Sequence, residues 1–123
     1  MDLKFATDKV EKQCTDLKVA KKLFGGNAIL ATSLFARITS LRSAENLKDI
    51  VVQKQFHFHK LENKGKKKYE GYFAIDVKTR KEPWRIILEP LDEEGKEYNP
   101  CNIDEIAGGV KIVRIEEVSN HYE

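Results

Sequence analysis

At 123 residues, with 41% apolar and 34% charged residues and a formal net charge of +2, the chain has the size and balance of one soluble globular domain, 1-123. A chain of this length buries roughly two-thirds of the surface its unfolded form exposes, so it needs neither a disulfide framework nor a metal staple. Cys14 and Cys101 are far apart and lack CxxC spacing, which fits a reduced pair. The opening "MDLKFATDK" has no apolar targeting core and no run approaches membrane-spanning length, so a cytoplasmic location without a membrane partner is expected.

Leu3 to Ala6 read as a short strand or extended lead-in. Thr7 and Asp8 offer an N-cap to "DKVEKQCTDLKVAKKLF", where Val10, Cys14, Leu17, Ala20, Leu23 and Phe24 recur at helical spacing, as one helix or two short ones. Gly25 and Gly26 end that segment. Asn27 can cap a second helix, "AILATSLFARITSLRSA", with Ile29, Leu30, Leu34, Ile38 and Leu41 on its apolar face. The pair makes a helical hairpin.

Beyond "AENLKDI" the apolar period changes from about 3.6 to 2. "QKQFHFHKL" alternates Phe56 and Phe58 with His57 and His59. "YEGYFAIDV" places Tyr69, Gly71, Phe73, Ile75 and Val77 on one face. "PWRIILEPL" sets Trp84, Ile86 and Leu88 against Arg85, Ile87 and Glu89. A polar connection containing Gly95, Pro100, Gly108 and Gly109 then leads to the closing strand "VKIVRIEEV". The predicted class is α+β: an N-terminal helical hairpin packed on one face of a small antiparallel sheet.

Chemistry-bearing residues cluster in the sheet half. Lys64, Lys66, Lys67 and Lys68 crowd the loop "ENKGKKKYEG", a solvated hairpin tip or a phosphate-binding one. The histidines are His57, His59 and His121. His57 and His59, two residues apart, suggest a metal pair, but no HxxxH or CxxC spacing accompanies them and no metal is expected. No nucleophile elbow, Walker or dinucleotide glycine pattern occurs, so no cofactor is expected. His59, the loop lysines, Arg80, Arg85, His121 and Tyr122 form a basic, polar set suited to RNA cleavage. That reaction needs a base for the 2′-hydroxyl, cations for the phosphate and an acid for the leaving oxygen. The same groups also fit a wet sheet face with scattered polar side chains.

The order of parts, with "FHFHKL", "GYFAIDV", "PWRIILEP" and the terminal "KIVRIEEVSNHYE", resembles the HigB branch of the RelE/ParE toxin superfamily over nearly the whole chain. The resemblance implies a RelE/ParE-like fold and a ribosome-dependent mRNA endonuclease, the toxin of a type II toxin–antitoxin pair. It implies as partners a HigA-like helix-turn-helix antitoxin, the 70S ribosome and mRNA, with operator DNA reached only through the antitoxin. By position, Arg85 falls on the family's catalytic-strand arginine and His59 on the histidine of its L-H-x-L segment. Asn120, His121 and Tyr122 fall on its terminus, where the usual order is Asp-Tyr-His. Glu62 stands near a family lysine, so Lys60 or a lysine from 64 to 68 is expected to supply that charge. The alternative is a non-catalytic member of the fold that poisons another target such as gyrase, or acts as a regulator within the toxin–antitoxin complex.

Overall fold

A computed structural model describes residues 1–62 and 71–121. The chain folds as α+β, with a five-stranded sheet in the order β1-β5-β4-β3-β2 and helices against one face. The strands are β1 (Asp2–Phe5), β2 (His59–Lys60), β3 (Phe73–Asp76), β4 (Arg85–Leu91) and β5 (Ile112–Ser119). The helices are α1 (Asp8–Thr15), α2 (Leu17–Leu23), α3 (Ala28–Ser43), α4 (Lys48–Val51) and α5 (Ile103–Ile106).

Side-chain caps set the helix boundaries. Thr7 accepts from the Val10 amide at 3.2 Å to start α1, and Asp16 is extended, ending it. The Asp16 carboxylate then accepts from Lys18 N–H at 2.9 Å to start α2, so the first arm of the hairpin is a helix pair. Gly25 and Gly26 adopt φ of 63° and 90°, and their amides return to the Lys22 and Lys21 carbonyls. This is the αL termination in which glycine escapes the Cβ clash. Asn27 caps α3 through Leu30 N–H at 3.0 Å.

The core lies between helices and sheet. Val10, Leu34, Ile38 and Leu41 meet Phe73, Ile75, Ile86, Leu88, Ile115 and Val118. Two residues assigned to apolar helix faces fall outside it: Ile29 is 64% exposed and Leu17 45%. Both sit in the first turn of their helices, where the face has not yet rotated under cover.

Three features of the sheet depart from the sequence expectation. It is mixed, because β1 runs parallel to β5, pairing Asp2 with Ile112 through Phe5 with Ile115. The alternating "QKQFHFHKL" is mostly not strand: Lys54–Phe56 is a 3-10 turn, His57 is left-handed with φ 49°, and pairing begins only at His59. The polar connection after β4 contains α5 and the 3-10 turn Ala107–Gly109. A β-bulge between Ile87 and Leu88 shifts the β4–β5 register, so Arg85 faces Ser119 at one end and Leu91 faces Ile112 at the other.

Candidate functional site

The catalytic candidates gather at one end of the sheet. Antiparallel pairing sets the end of β3 beside the start of β4, and the start of β4 beside the end of β5. In register, Asp76 faces Arg85 and Arg85 faces Ser119. His57 and His59 approach from the edge, where His59 pairs with Ala74.

The organising group is one the sequence reading passed over. Asp76 is 1% exposed, and its Oδ1 lies 3.1 Å from His57 Nδ1 and 3.2 Å from Arg85 Nε. Facing a carboxylate, His57 Nδ1 carries a proton, which turns its Nε2 away from the buried carboxylate. His59 Nδ1 lies 2.7 Å from the His57 carbonyl oxygen, an acceptor only, so it too is the protonated nitrogen and Nε2 holds the lone pair. The two rings stack with centroids 4.4 Å apart and 29° between planes. The left-handed backbone of His57, uncommon for a residue with a Cβ, is what brings both rings to this edge.

Arg85 is present at the site but occupied. It is 8% exposed; Nη1 donates to the Glu82 and Trp84 carbonyls, and Nη2 donates to the Arg80 carbonyl at 3.0 Å. Its Nε has Asp76 as a charge partner but no in-line acceptor. The guanidinium therefore ties the 80–85 turn to β3. Arg37 of α3 does similar work beside it: Nε donates to the Asp76 carbonyl at 3.0 Å, Nη2 donates to the Gln55 and Lys78 carbonyls, and the group lies 4.8 Å over the Phe56 ring. Burial lowers the Arg37 pKa, and the nearby Asp76 charge partly restores it.

The remaining expected site residues divide by location. Lys60 and Arg80 are exposed; Arg80 lies in the turn at this end, whereas Lys60 pairs with Phe73 at the far end of β3. Asn120 and His121 follow β5 and are exposed; His121 N–H donates to Ser119 Oγ at 3.0 Å. Lys64, Lys66, Lys67, Lys68, Tyr69 and Tyr122 lie outside the described residues. The structure thus brings His59 and Arg85 together through His57 and Asp76, and sets His121 beyond the neighbouring strand. A cleft of about 390 Å³ opens there, bordered by Lys9, Gln13, Trp84, Glu117, Asn120 and His121.

No protein-family model, curated protein or solved structure matches this chain. Among the described residues, no group of His, Cys, Asp and Glu is arranged to hold a metal ion, and no helix is long and apolar enough to cross a membrane.

A second polar cluster sits four residues further along β4. Arg114 Nη2 contacts Glu89 at 2.9 Å and Glu97 at 3.1 Å, and its Nε contacts Glu116 at 2.6 Å. Burial, with a carboxyl–carboxylate contact to Glu116, pushes Glu89 up to about 7 and outweighs the pull of Arg114. Glu116 in turn holds the Arg114 guanidinium firmly charged. Alternation across β4 did mark Glu89 as sharing a face with Arg85. Nothing in the sequence signals that this face is buried: all of β4 is, on both sides. For Asp76 the available signal was a lone carboxylate at the end of the apolar run "YFAI".

Proposed function

We propose that this chain is a HigB-type toxin of the RelE/ParE superfamily, an endoribonuclease that cuts mRNA on the ribosome and is silenced by a HigA-like antitoxin. The observation that carries the reading is the Asp76–His57–His59 arrangement, two imidazoles anchored through Nδ1 with Nε2 left for chemistry. The substrate's 2′-oxygen is its own nucleophile, so the protein has only to move protons and hold charge. One imidazole takes the 2′-hydroxyl proton as that oxygen attacks phosphorus. The bond to the 5′-oxygen breaks, and an acid protonates it, leaving a 2′,3′-cyclic phosphate and a 5′-hydroxyl.

Base and acid must flank the phosphorus. Stacked rings 4.4 Å apart are too close to do so as a pair. Ser119, which leads to His121, lies two strands from Asp76, a separation of roughly 10 Å at the usual strand spacing. A phosphodiester fits between, with the His57–His59 side and the His121 side as opposite partners. Because Arg85 is engaged internally, Lys60, Arg80 and the lysines from 64 to 68 supply the phosphate charge. The ribosome completes the site by presenting the mRNA.

The same engagement of Arg85 favours a second reading, a non-catalytic member of the fold acting by binding alone. The experiment that separates the two is mapping of mRNA ends after induced expression of wild type, His57→Ala and His59→Ala. Loss of one positioned acid or base lowers cleavage by about 10² to 10⁴-fold. Growth arrest that survives both substitutions, without new mRNA ends, would select the binding reading.

A further inference from the structure

Two backbone segments must meet for His57 to reach Asp76: the left-handed turn that presents the imidazole and the end of β3 that presents the carboxylate. His57 has φ 49°, a conformation that costs a residue with a Cβ free energy and persists only where its surroundings hold it. The 3-10 turn before it supplies one local tie, from His57 N–H to the Lys54 carbonyl at 3.1 Å. Beyond it, β2 is two residues long and lies at the sheet edge, so strand pairing restrains the turn from one side only.

One side chain grips both segments. Arg37 Nη2 donates to the Gln55 carbonyl, two residues before His57, at 3.1 Å, and to the Lys78 carbonyl, two residues after Asp76, at 3.0 Å. Its Nε donates to the carbonyl of Asp76 itself at 3.0 Å. The guanidinium carbon lies 4.8 Å from the ring centroid of Phe56, the buried residue immediately before His57. The base of this clamp is rigid, because Leu34, Ile38 and Leu41 anchor the same stretch of α3 in the core. Arg85 and Arg37 thus divide the work on Asp76: Arg85 faces its carboxylate, whereas Arg37 holds its main chain. Charge alone does not account for Arg37. Its donors are spent on carbonyl oxygens spread over two segments, which a planar fork spans and a single ammonium does not.

We propose that Arg37 is a positioning residue for the paired imidazoles: by clamping the 55–57 turn to the end of β3, it sets the contact between His57 and Asp76. His59 follows, because its Nδ1 is anchored on the His57 carbonyl. Arg37 acts through the main chain on both sides of that contact. Its effect on cleavage rests on the proposed reaction; its effect on the imidazoles does not.

The test reads the imidazole nitrogens directly. Isotopically labelled full-length protein is followed by NMR at about pH 9, well above the ordinary imidazole value, so that each ring reports its neutral tautomer. Wild type is expected to show His57 and His59 as Nδ1–H tautomers. Arg37→Met, which keeps an apolar stem without donors, moves both toward Nε2–H and leaves the exposed His121 as it was. The methyl resonances of the buried Ile86 and Ile115 stay in place, which separates positioning from unfolding. Arg37→Lys keeps the charge without the fork and gives the same tautomer change. Arg37→Gln, with one donating amide, is read in the same way should Arg37→Met fail to fold. On the ribosome, each variant lowers kcat for mRNA cleavage by about 10²-fold. Wild-type tautomers in a folded Arg37→Met or Arg37→Gln protein, or in Arg37→Lys, would overturn the clamp. So would a tautomer change found only where the core methyl resonances collapse with it. An Nε2–H tautomer at His57 in wild type would overturn the anchored pair and the clamp together. The expected tautomer changes in a protein that never cleaves RNA would instead overturn the reaction and leave the positioning role standing.

Discussion

Arg85→Ala is expected to act first on stability. The side chain is 8% exposed and faces a carboxylate that is 1% exposed, so the pair is effectively desolvated. Removing one member leaves the Asp76 carboxylate with His57 at 3.1 Å as its remaining side-chain contact, the Arg37 charge lying nearby, and strips the Arg80, Glu82 and Trp84 carbonyls of their donor. Breaking a buried pair in this way costs about 3–5 kcal/mol. The turn carbonyls lie near the surface and recover part of their loss to water, so the lower half of that range is the better figure. In a domain of this size such a loss lowers the melting temperature by about 10–20 °C. The assay is urea and thermal unfolding of wild type, Arg85→Ala, Asp76→Asn and the double variant. The double variant should lose less than the sum of the singles, by about 0.5–3 kcal/mol, because each single change orphans the same partner. An Arg85→Ala protein that melts within about 2 °C of wild type would refute the reasoning and return Arg85 to the substrate.

The remaining expectations are more local. Burial raises the Glu89 carboxyl from its ordinary 4.5 to about 7 in the folded state, so the folded protein binds the extra proton between those values. Stability from this group is full at low pH and falls, by roughly 1–3 kcal/mol, as pH rises through 7; Glu89→Gln should flatten that part of the stability profile, and an unchanged slope would count against it. Burial pushes the Cys14 thiol up to about 12, so it should resist alkylation at pH 8 in the native protein and react on unfolding; rapid native labelling at Cys14 would show that α1 opens readily. Changing Lys66, Lys67 and Lys68 to Ala should flatten the salt dependence of ribosome binding by about 0.7–0.9 in log–log slope per lost phosphate contact, with folding unaffected. An unchanged slope would leave those lysines as a solvated tip.

The helical half was legible because its signals are local. Thr7, Asn27 and the Gly25–Gly26 pair each act within four residues, and each appears in the structure where the sequence puts it. The break at Asp16 is also local: helical periodicity runs through it unchanged, and of the two readings left open, one helix or two short ones, the structure shows the second. The sheet half was only partly legible. Period-2 alternation identified β3, β4 and β5, yet it cannot report strand direction, so the parallel β1–β5 pairing was invisible. In "QFHFH" alternation misled: Phe56 is buried by a 3-10 turn, and His57 turns left-handed to reach Asp76. A residue's role as carboxylate anchor depends on contact across 19 positions, which no window of the sequence contains.

These placements tie stability to the proposed chemistry through a single hairpin. Asp76 and Arg85 close the β3–β4 connection, and their contact fixes the width of the sheet end on which both flanking groups depend. On one flank Asp76 orients His57, which in turn anchors His59 through its carbonyl. On the other, Arg85 is in register with Ser119, whose hydroxyl receives the His121 amide. Loosening Arg85 therefore moves both flanks at once, and positioning lost by an ångström costs a reaction about 10²-fold. Truncating His59 moves neither flank, since its Nδ1 only receives orientation and passes none on. The two substitutions consequently separate roles that activity alone would merge. Arg85→Ala loses structure and function together, whereas His59→Ala is expected to keep the wild-type melting temperature and lose only cleavage.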